Sequence, residues 1–161
     1  MEKRINFYEK GQKALKAMYG LTKYLGGSSI EQHLLNLISF RVSQINGCAY
    51  CLDMHSKDLR AEGETEQRLY MLDAWHETPF YTDRERAAFA WAEAVTNLEN
   101  GRVSDEVYAE ACRHFSDEEL VDLTVAINTI NCYNRINIAF RVEGGSYRVG
   151  QHLKQQSEAT V

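Results

Sequence analysis

The sequence predicts an all-α fold of six or seven helices, on three observations. Capping boxes, in which a hydroxyl residue is followed three positions later by Glu, occur at Ser28–Glu31, Thr82–Glu85 and Ser116–Glu119. This pattern satisfies free backbone N–H groups at a helix start. Apolar residues recur at every third or fourth position in the segments that follow the boxes, as on the buried face of a helix. The alternation of apolar and polar residues that is typical of strands is nearly absent.

The first three predicted helices cover 7–25, 29–45 and 48–61. The second begins behind the first capping box, and its apolar residues lie at helical spacing. Gly47 and Gly63 follow the second and third helices. Glycine ends a helix readily, because it adopts a positive φ without a steric penalty.

Four further helices are predicted after Gly63. The second and the fourth of them start at the capping boxes of Thr82 and Ser116, and the fourth is the longest of the chain. Asn100–Gly101 and Gly144–Gly145 follow periodic stretches and are interpreted as helix stops. These helices cover 65–77, 83–98, 104–113 and 117–140.

Composition indicates one globular domain over 1–150 and a polar tail over 151–161. The 161 residues include a single proline and carry a formal charge of −5 without any basic block. Nucleic acid and anionic membranes are therefore disfavoured as partners, since both require a concentrated cationic face. No apolar run reaches the roughly 18 residues of a membrane span, and no leader precedes the first helix, so a cytoplasmic location is expected.

Cys48 and Cys51 form a Cys-x-x-Cys pair directly after Gly47. Both thiols should lie in the first turn of a helix, where free N–H groups and the helix dipole favour negative charge and lower a thiol pKa. Residues three apart on a helix are about 5 to 6 Å apart, close enough to form a disulfide. The spacing therefore favours a dithiol that closes and reopens.

His55 lies one helical turn after Cys51, on the same face. There an imidazole can accept a proton from a thiol or pass one to a leaving oxygen. A structural zinc site is the main alternative for the two cysteines, but zinc requires four ligands. Cys112 and His114 are the nearest candidates for the second half of such a site, and they lack finger-like spacing. Inert buried thiols are the other alternative.

The run from Arg41 to Cys51, together with His55, resembles the core motif of the AhpD-like alkylhydroperoxidases of the carboxymuconolactone decarboxylase-like superfamily. The later run 126–136 is similar to the long final helix of single-domain relatives. The resemblance implies an AhpD-like helical bundle and a redox-active dithiol. In that family the second motif cysteine, here Cys51, attacks the peroxide, and the first, Cys48, resolves the sulfenic acid. The motif histidine, here His55, belongs to a proton relay.

The resemblance also implies partners. Family members form trimers, or hexamers built from them, and a lipoyl-bearing or thioredoxin-like partner reduces the disulfide. No cofactor or metal is implied. The expected function is a thiol-dependent peroxidase that reduces organic hydroperoxides. The alternative is a thiol-disulfide oxidoreductase, or a redox-sensing or binding domain without peroxidase turnover.

The sequence departs from the best-characterised family pattern at two positions. The relay glutamate, twelve residues before the first motif cysteine, is replaced by Asn36, which cannot ionise. The histidine that some members carry between the cysteines is replaced by Tyr50. Peroxidase turnover is thus the part of the expected function that most needs a test.

Five further residues are expected to have no chemical role. Cys112 and Cys132 are predicted to pack as buried hydrophobic residues, as lone cysteines most often do. Trp75 and Trp91 are predicted to anchor the core or an interface. His152 is predicted to be a solvated surface residue. Asn131 and Asn134, in contrast, could orient His55 or a water molecule.

Overall fold

A computed structural model of the protein describes residue 2 and residues 4–152. Residues 153–161, most of the predicted tail, lie outside the described residues. The described chain forms eight α-helices and two short 3-10 turns, Leu72–Glu77 and Glu99–Gly101, without a strand, which confirms the all-α prediction. The helices are α1 Phe7–Lys10, α2 Gln12–Leu25, α3 Gln32–Asn46, α4 Ala49–Ala61, α5 Glu66–Met71, α6 Asp83–Asn97, α7 Asp105–His114 and α8 Asp117–Phe140.

Two of the three predicted capping boxes open helices as expected. The side chain of Thr82 accepts from the backbone N–H of Glu85 at the start of α6, and the Glu85 carboxylate accepts in return from the backbone N–H of Thr82. Ser116 and Glu119 do the same at α8. The box predicted at Ser28 is wrong. Helix α3 begins after Glu31 without a side-chain cap, because the preceding turn directs Ile30 into the core.

Two predicted helices and one predicted helix stop also change. The helix predicted over 7–25 breaks at Gly11, which ends α1 and begins α2. The one predicted over 65–77 becomes 3-10 after Met71, with Ala74 outside helical geometry. Helix α8 covers 117–140 as predicted, but its stop is the C-cap residue Arg141 in the left-handed region rather than Gly144–Gly145. Arg141 already adopts the positive φ that ends the helix, so the two glycines are not needed for this purpose. Gly144 instead allows a close approach to Ala49 of α4.

The core is built around α3, which packs on α4, α6 and α8. Its Leu37, Ile38 and Val42 side chains are fully buried, as are Leu123 and Ile127 of α8. Their burial supplies the main hydrophobic stabilisation of the bundle. Trp75 and Trp91 are also buried, which confirms their predicted place in the core.

Candidate functional site

The Cys-x-x-Cys pair lies at the start of α4, as predicted. Gly47 adopts φ 68° and lets the chain reverse direction after α3, while the Cys48 N–H donates to the Ser43 carbonyl. Cys48 is the N-cap residue of α4, and Cys51 lies in its first turn. The two Sγ atoms are 2.7 Å apart, and both side chains are almost completely buried. The helix start thus holds two thiols in direct contact.

The two thiols have opposite acidities. The pKa of Cys48 is lowered to about 7, first by its hydrogen bond with the Cys51 thiol and further by the backbone N–H groups of Cys51 and Tyr50 and the Asn134 side chain. These interactions outweigh the burial of Cys48. The pKa of Cys51 is raised, first by its contact with Cys48 and then by burial. Cys48 is therefore the more acidic thiol of this coupled pair, and it is partly ionised near neutral pH.

Asn137 of α8 contacts Cys51 directly. Its Nδ2 donates to Cys51 Sγ at 3.3 Å, while its Oδ1 accepts from the Tyr8 hydroxyl at 3.1 Å. The Tyr8 contact fixes the amide orientation, because only the Oδ1 side can accept. Asn137 is buried, so both bonds form away from bulk water. The amide group is thus held with its donor towards the sulfur of Cys51.

Asn131 and Asn134, the residues expected to orient His55, take other partners. Asn46 donates to the side-chain oxygens of both, at 2.9 Å each, and Asn134 donates to Ser43 at 3.0 Å. They join α8 to the end of α3, just before the cysteines. Asn137 was not among the predicted site residues. Its signal is the three-residue spacing of the buried asparagines 131, 134 and 137 along the second half of α8.

His55 lines a large cavity together with Cys51. Its Nε2 is buried and has no hydrogen-bond partner among the described residues. Burial, together with the smaller effect of nearby His152, lowers the pKa of His55 to about 4, so the imidazole is neutral at pH 7. A neutral imidazole with an open nitrogen can form a hydrogen bond to an oxygen that enters the cavity.

The cavity has a volume of about 940 Å³ and runs between α2 and α4, over α3 and α8. Cys51 is part of its lining, whereas Cys48 is not. Apolar side chains from every wall face it, together with several tyrosines. The pair therefore presents one sulfur to the cavity and keeps the other behind it.

The segment after α8 closes over α4. Gly144 lies so close to Ala49 that a Cβ atom there would be 2.7 Å from the Ala49 carbonyl oxygen. The Tyr147 hydroxyl donates to both carboxylate oxygens of Asp58 at 3.0 Å. Beyond it, His152 Nε2 lies 2.8 Å from the Tyr50 hydroxyl and lines the cavity. The prediction that His152 is a solvated surface residue is wrong, because this segment folds back over the site.

Comparison with known proteins agrees with this arrangement. Residues 10–94 match the model of the carboxymuconolactone decarboxylase family. The chain is 46% identical over 139 residues to the uncharacterized protein YdfG of Bacillus subtilis. The aligned region covers 86% of this chain and 95% of YdfG. The chain belongs to the carboxymuconolactone decarboxylase family.

Solved structures share the fold of this family member. A protein of unknown function from Agrobacterium tumefaciens, linked by name to the antioxidant defence protein AhpD, is 40% identical. It superposes with a TM-score of 0.86, covering 91% of this chain and 100% of its own. The debrominase Bmp8 is 21% identical, with a TM-score of 0.76 over 95% of this chain and 80% of its own. At that identity the likeness shows only a common fold, and a fold alone does not fix a reaction.

Asn36, which stands where the AhpD-like pattern has a relay glutamate, contacts a carboxylate of another element. Its Nδ2 donates to Glu62 Oε1 at 2.6 Å, and both residues line the cavity. Glu62 also lies 3.4 Å from His33 Nδ1. A carboxylate is thus present at this edge of the cavity, supplied by the end of α4.

The other cysteines of this family member differ from the predictions. Cys112 and Cys132 are both exposed, so the prediction that they are buried is wrong. Both lie on the solvent side of amphipathic helices, which the lone-cysteine rule does not take into account. Among the described residues, no group of three or more His, Cys, Asp or Glu side chains is arranged to hold a metal ion. Within residues 4–152, no helix is long and apolar enough to cross a membrane.

Proposed function

We propose that this protein is a thiol-dependent peroxidase that reduces organic hydroperoxides through Cys48 and Cys51. One observation carries the proposal: two buried sulfur atoms lie 2.7 Å apart, and only Cys51 faces a large cavity. Membership of the family and the likeness to the AhpD-linked protein of A. tumefaciens support it.

The cycle begins when the Cys51 sulfur attacks the terminal oxygen of the hydroperoxide. The O–O bond breaks, the alkoxide takes a proton from water and leaves as an alcohol, and Cys51 becomes a sulfenic acid. Because Cys48 carries the negative charge of the pair, it accepts the Cys51 thiol proton across the short contact as the attack begins. Cys48 then displaces water from the sulfenic acid, and the disulfide forms with the loss of two electrons to the peroxide.

His55 and Asn137 both support this attack. His55 supplies a hydrogen-bonding nitrogen to the leaving oxygen, because its Nε2 is otherwise unpartnered. Asn137 donates to Cys51 Sγ and stabilises negative charge there as the proton leaves. Asn137 thus acts as a positioning residue beside the reacting sulfur.

An external dithiol must reopen the disulfide by exchange through a mixed disulfide. A lipoyl-bearing or thioredoxin-like protein in the cytoplasm is the proposed reductant. We also propose that the chain assembles as a trimer or hexamer. Sedimentation that shows only monomer at micromolar concentration would contradict that assembly.

The test is stopped-flow oxidation of the reduced protein by cumene hydroperoxide, with free thiols counted before and after. We expect the rapid loss of two thiols per chain. Cys51→Ser should abolish this loss, and His55→Gln should slow it by about ten- to a hundredfold. In Cys48→Ser, dimedone should label a sulfenic acid on Cys51. Oxidation of Cys51→Ser at the wild-type rate would overturn the assignment of the attacking sulfur.

A second function, thiol-disulfide exchange without peroxidase turnover, is favoured by the acidity of Cys48. A thiol with a pKa close to ambient pH is an efficient attacking group in exchange reactions. An oxidoreductase or redox sensor would exchange rapidly with a small disulfide but would lose no thiols to cumene hydroperoxide. The same stopped-flow experiment therefore separates the two functions.

A further inference from the structure

Helix α2 is cationic in a protein whose net charge is negative. Between Gln12 and Leu25 it carries Lys13, Lys16 and Lys23 and no acidic residue, while the whole chain has a formal charge of −5. Lys16 and Lys23 line the cavity that holds Cys51, whereas Lys13 does not. The α2 wall of the cavity therefore has a positive edge.

Lys16 and Lys23 lie two turns apart on one face, about 10 Å along the helix. Within the described part of the chain, neither forms an ion pair with an acidic side chain. The two carboxylates on the cavity already have partners on other walls, Asp58 with Tyr147 and Glu62 with Asn36. The lysine ammonium groups are thus available to a negatively charged group that enters the cavity.

The rest of the cavity suits an apolar chain. Its volume of about 940 Å³ is at the upper end of the roughly 300 to 1,000 Å³ of ligand pockets, far more than a short alkyl hydroperoxide needs. Leu25 and Leu35 face it from one side, and Met54, Ala126 and Ile130 from the others. A long hydrocarbon chain would bury its surface against these side chains and leave a polar end at the lysines.

We propose that the physiological substrate is the hydroperoxide of a long-chain fatty acid, with its carboxylate held by Lys16 and Lys23. This inference rests on the proposed peroxidase function and names its substrate class. The reaction consumes the fatty-acid hydroperoxide and the two thiols, and it yields the hydroxy fatty acid, water and the Cys48–Cys51 disulfide. An external dithiol restores the thiols.

The test compares linoleic acid hydroperoxide with its methyl ester, which keeps the chain and the peroxide but removes the charge. Both are mixed with reduced protein below their micelle concentrations in low-salt buffer, and the rate of thiol loss is followed. We expect the wild type to react about three- to tenfold faster with the acid, because two exposed charge pairs each contribute modestly. The ratio should fall as salt is added.

Charge variants locate the effect. Lys16→Gln/Lys23→Gln should bring the ratio of acid rate to ester rate close to one, and Lys16→Glu/Lys23→Glu should bring it below one. Lys10→Glu/Lys13→Glu is the control: it changes the net charge as much as Lys16→Glu/Lys23→Glu does, but at residues outside the cavity lining. It should keep the wild-type ratio of acid rate to ester rate.

Three outcomes would overturn the substrate class. The first is that the wild type reacts equally fast with acid and ester. The second is that the variants of Lys16 and Lys23 keep the wild-type ratio of acid rate to ester rate. The third is that the control variant Lys10→Glu/Lys13→Glu lowers this ratio as much as they do. If cumene hydroperoxide oxidises the wild type rapidly in any of these cases, the peroxidase function stands and only this inference fails. If no hydroperoxide oxidises Cys51, the proposed function itself fails.

Discussion

The four cysteines form two pairs with opposite surroundings. Cys48 and Cys51 are almost completely buried, touch each other and receive hydrogen bonds from backbone and asparagine donors. Cys112 and Cys132 are exposed on α7 and α8, away from the cavity lining. Exposure alone would make the second pair the more reactive. The difference supports the proposal that stabilisation of the thiolate and a route for the substrate, rather than exposure, determine which thiols react.

The largest expected difference is in thiolate content. With Cys112 and Cys132 replaced by Ser, one thiolate per chain should appear in an ultraviolet titration at 240 nm with a midpoint near pH 7. An ordinary thiol titrates near pH 9.0, so Cys48 should hold about a hundredfold more thiolate than an ordinary thiol in mildly acidic solution. Because the shift is downward, the thiolate absorbance should rise between about pH 6 and 8.

Cys51→Ala is the variant that tests this titration. The contact with Cys51 is the largest cause of the lowered Cys48 pKa, so its removal should move the midpoint upward. Cys48→Ala should remove the neutral-pH step altogether, because the pKa of Cys51 is raised by burial as well as by its partner. A titration step that survives near pH 7 in Cys48→Ala would show that the charge resides on Cys51.

Asn137→Ala should produce the next largest effect. It removes the donor to Cys51 Sγ, and hydrogen bonds to charged groups contribute about 1.5 to 3 kcal/mol. We expect oxidation by cumene hydroperoxide to slow about tenfold or more at pH 7. Tyr8→Phe removes the contact that fixes the orientation of the Asn137 amide but keeps the amide donor to Cys51. This variant should therefore slow oxidation less than Asn137→Ala.

Asn128→Ala is the matched control, because Asn128 is an exposed asparagine of the same helix. It should leave the rate unchanged. A general loss of packing would lower the thermal stability of Asn137→Ala without changing the pH profile of oxidation. If that profile and the rate both match the wild type, Asn137 has no role at the sulfur.

Local sequence signals were sufficient for most helices and for the position of the dithiol. The capping boxes at Thr82 and Ser116 and the glycine after α3 depend only on neighbouring residues, and they predicted three helix boundaries and the place of Cys48. The capping box at Ser28 failed: Ile30, which lies within it, is buried in the core, and α3 begins only after Glu31. Chain ends without periodicity, such as the segment around His152, gave no local signal.

The surroundings of the sulfur atoms could not be predicted in the same way. Asn137 is 86 positions from Cys51, and His152 is 102 positions from Tyr50. Such contacts depend on how α8 and the segment after it pack on α4, which no spacing rule specifies for a single sequence. The neutral state of His55 likewise follows from burial in the folded chain.

The smallest expected effect is that of Cys112→Ser/Cys132→Ser. An exposed side chain away from caps and core usually changes stability by less than about 0.5 kcal/mol, so the two substitutions together should move the melting temperature by no more than about 4 °C. The variant should still lose two thiols per chain to cumene hydroperoxide at the wild-type rate. Slower oxidation, or loss of fewer than two thiols, would place an exposed cysteine in the cycle. The contrast between buried and exposed pairs would then no longer explain the chemistry, and the disulfide would have to form through a sulfur outside the Cys-x-x-Cys.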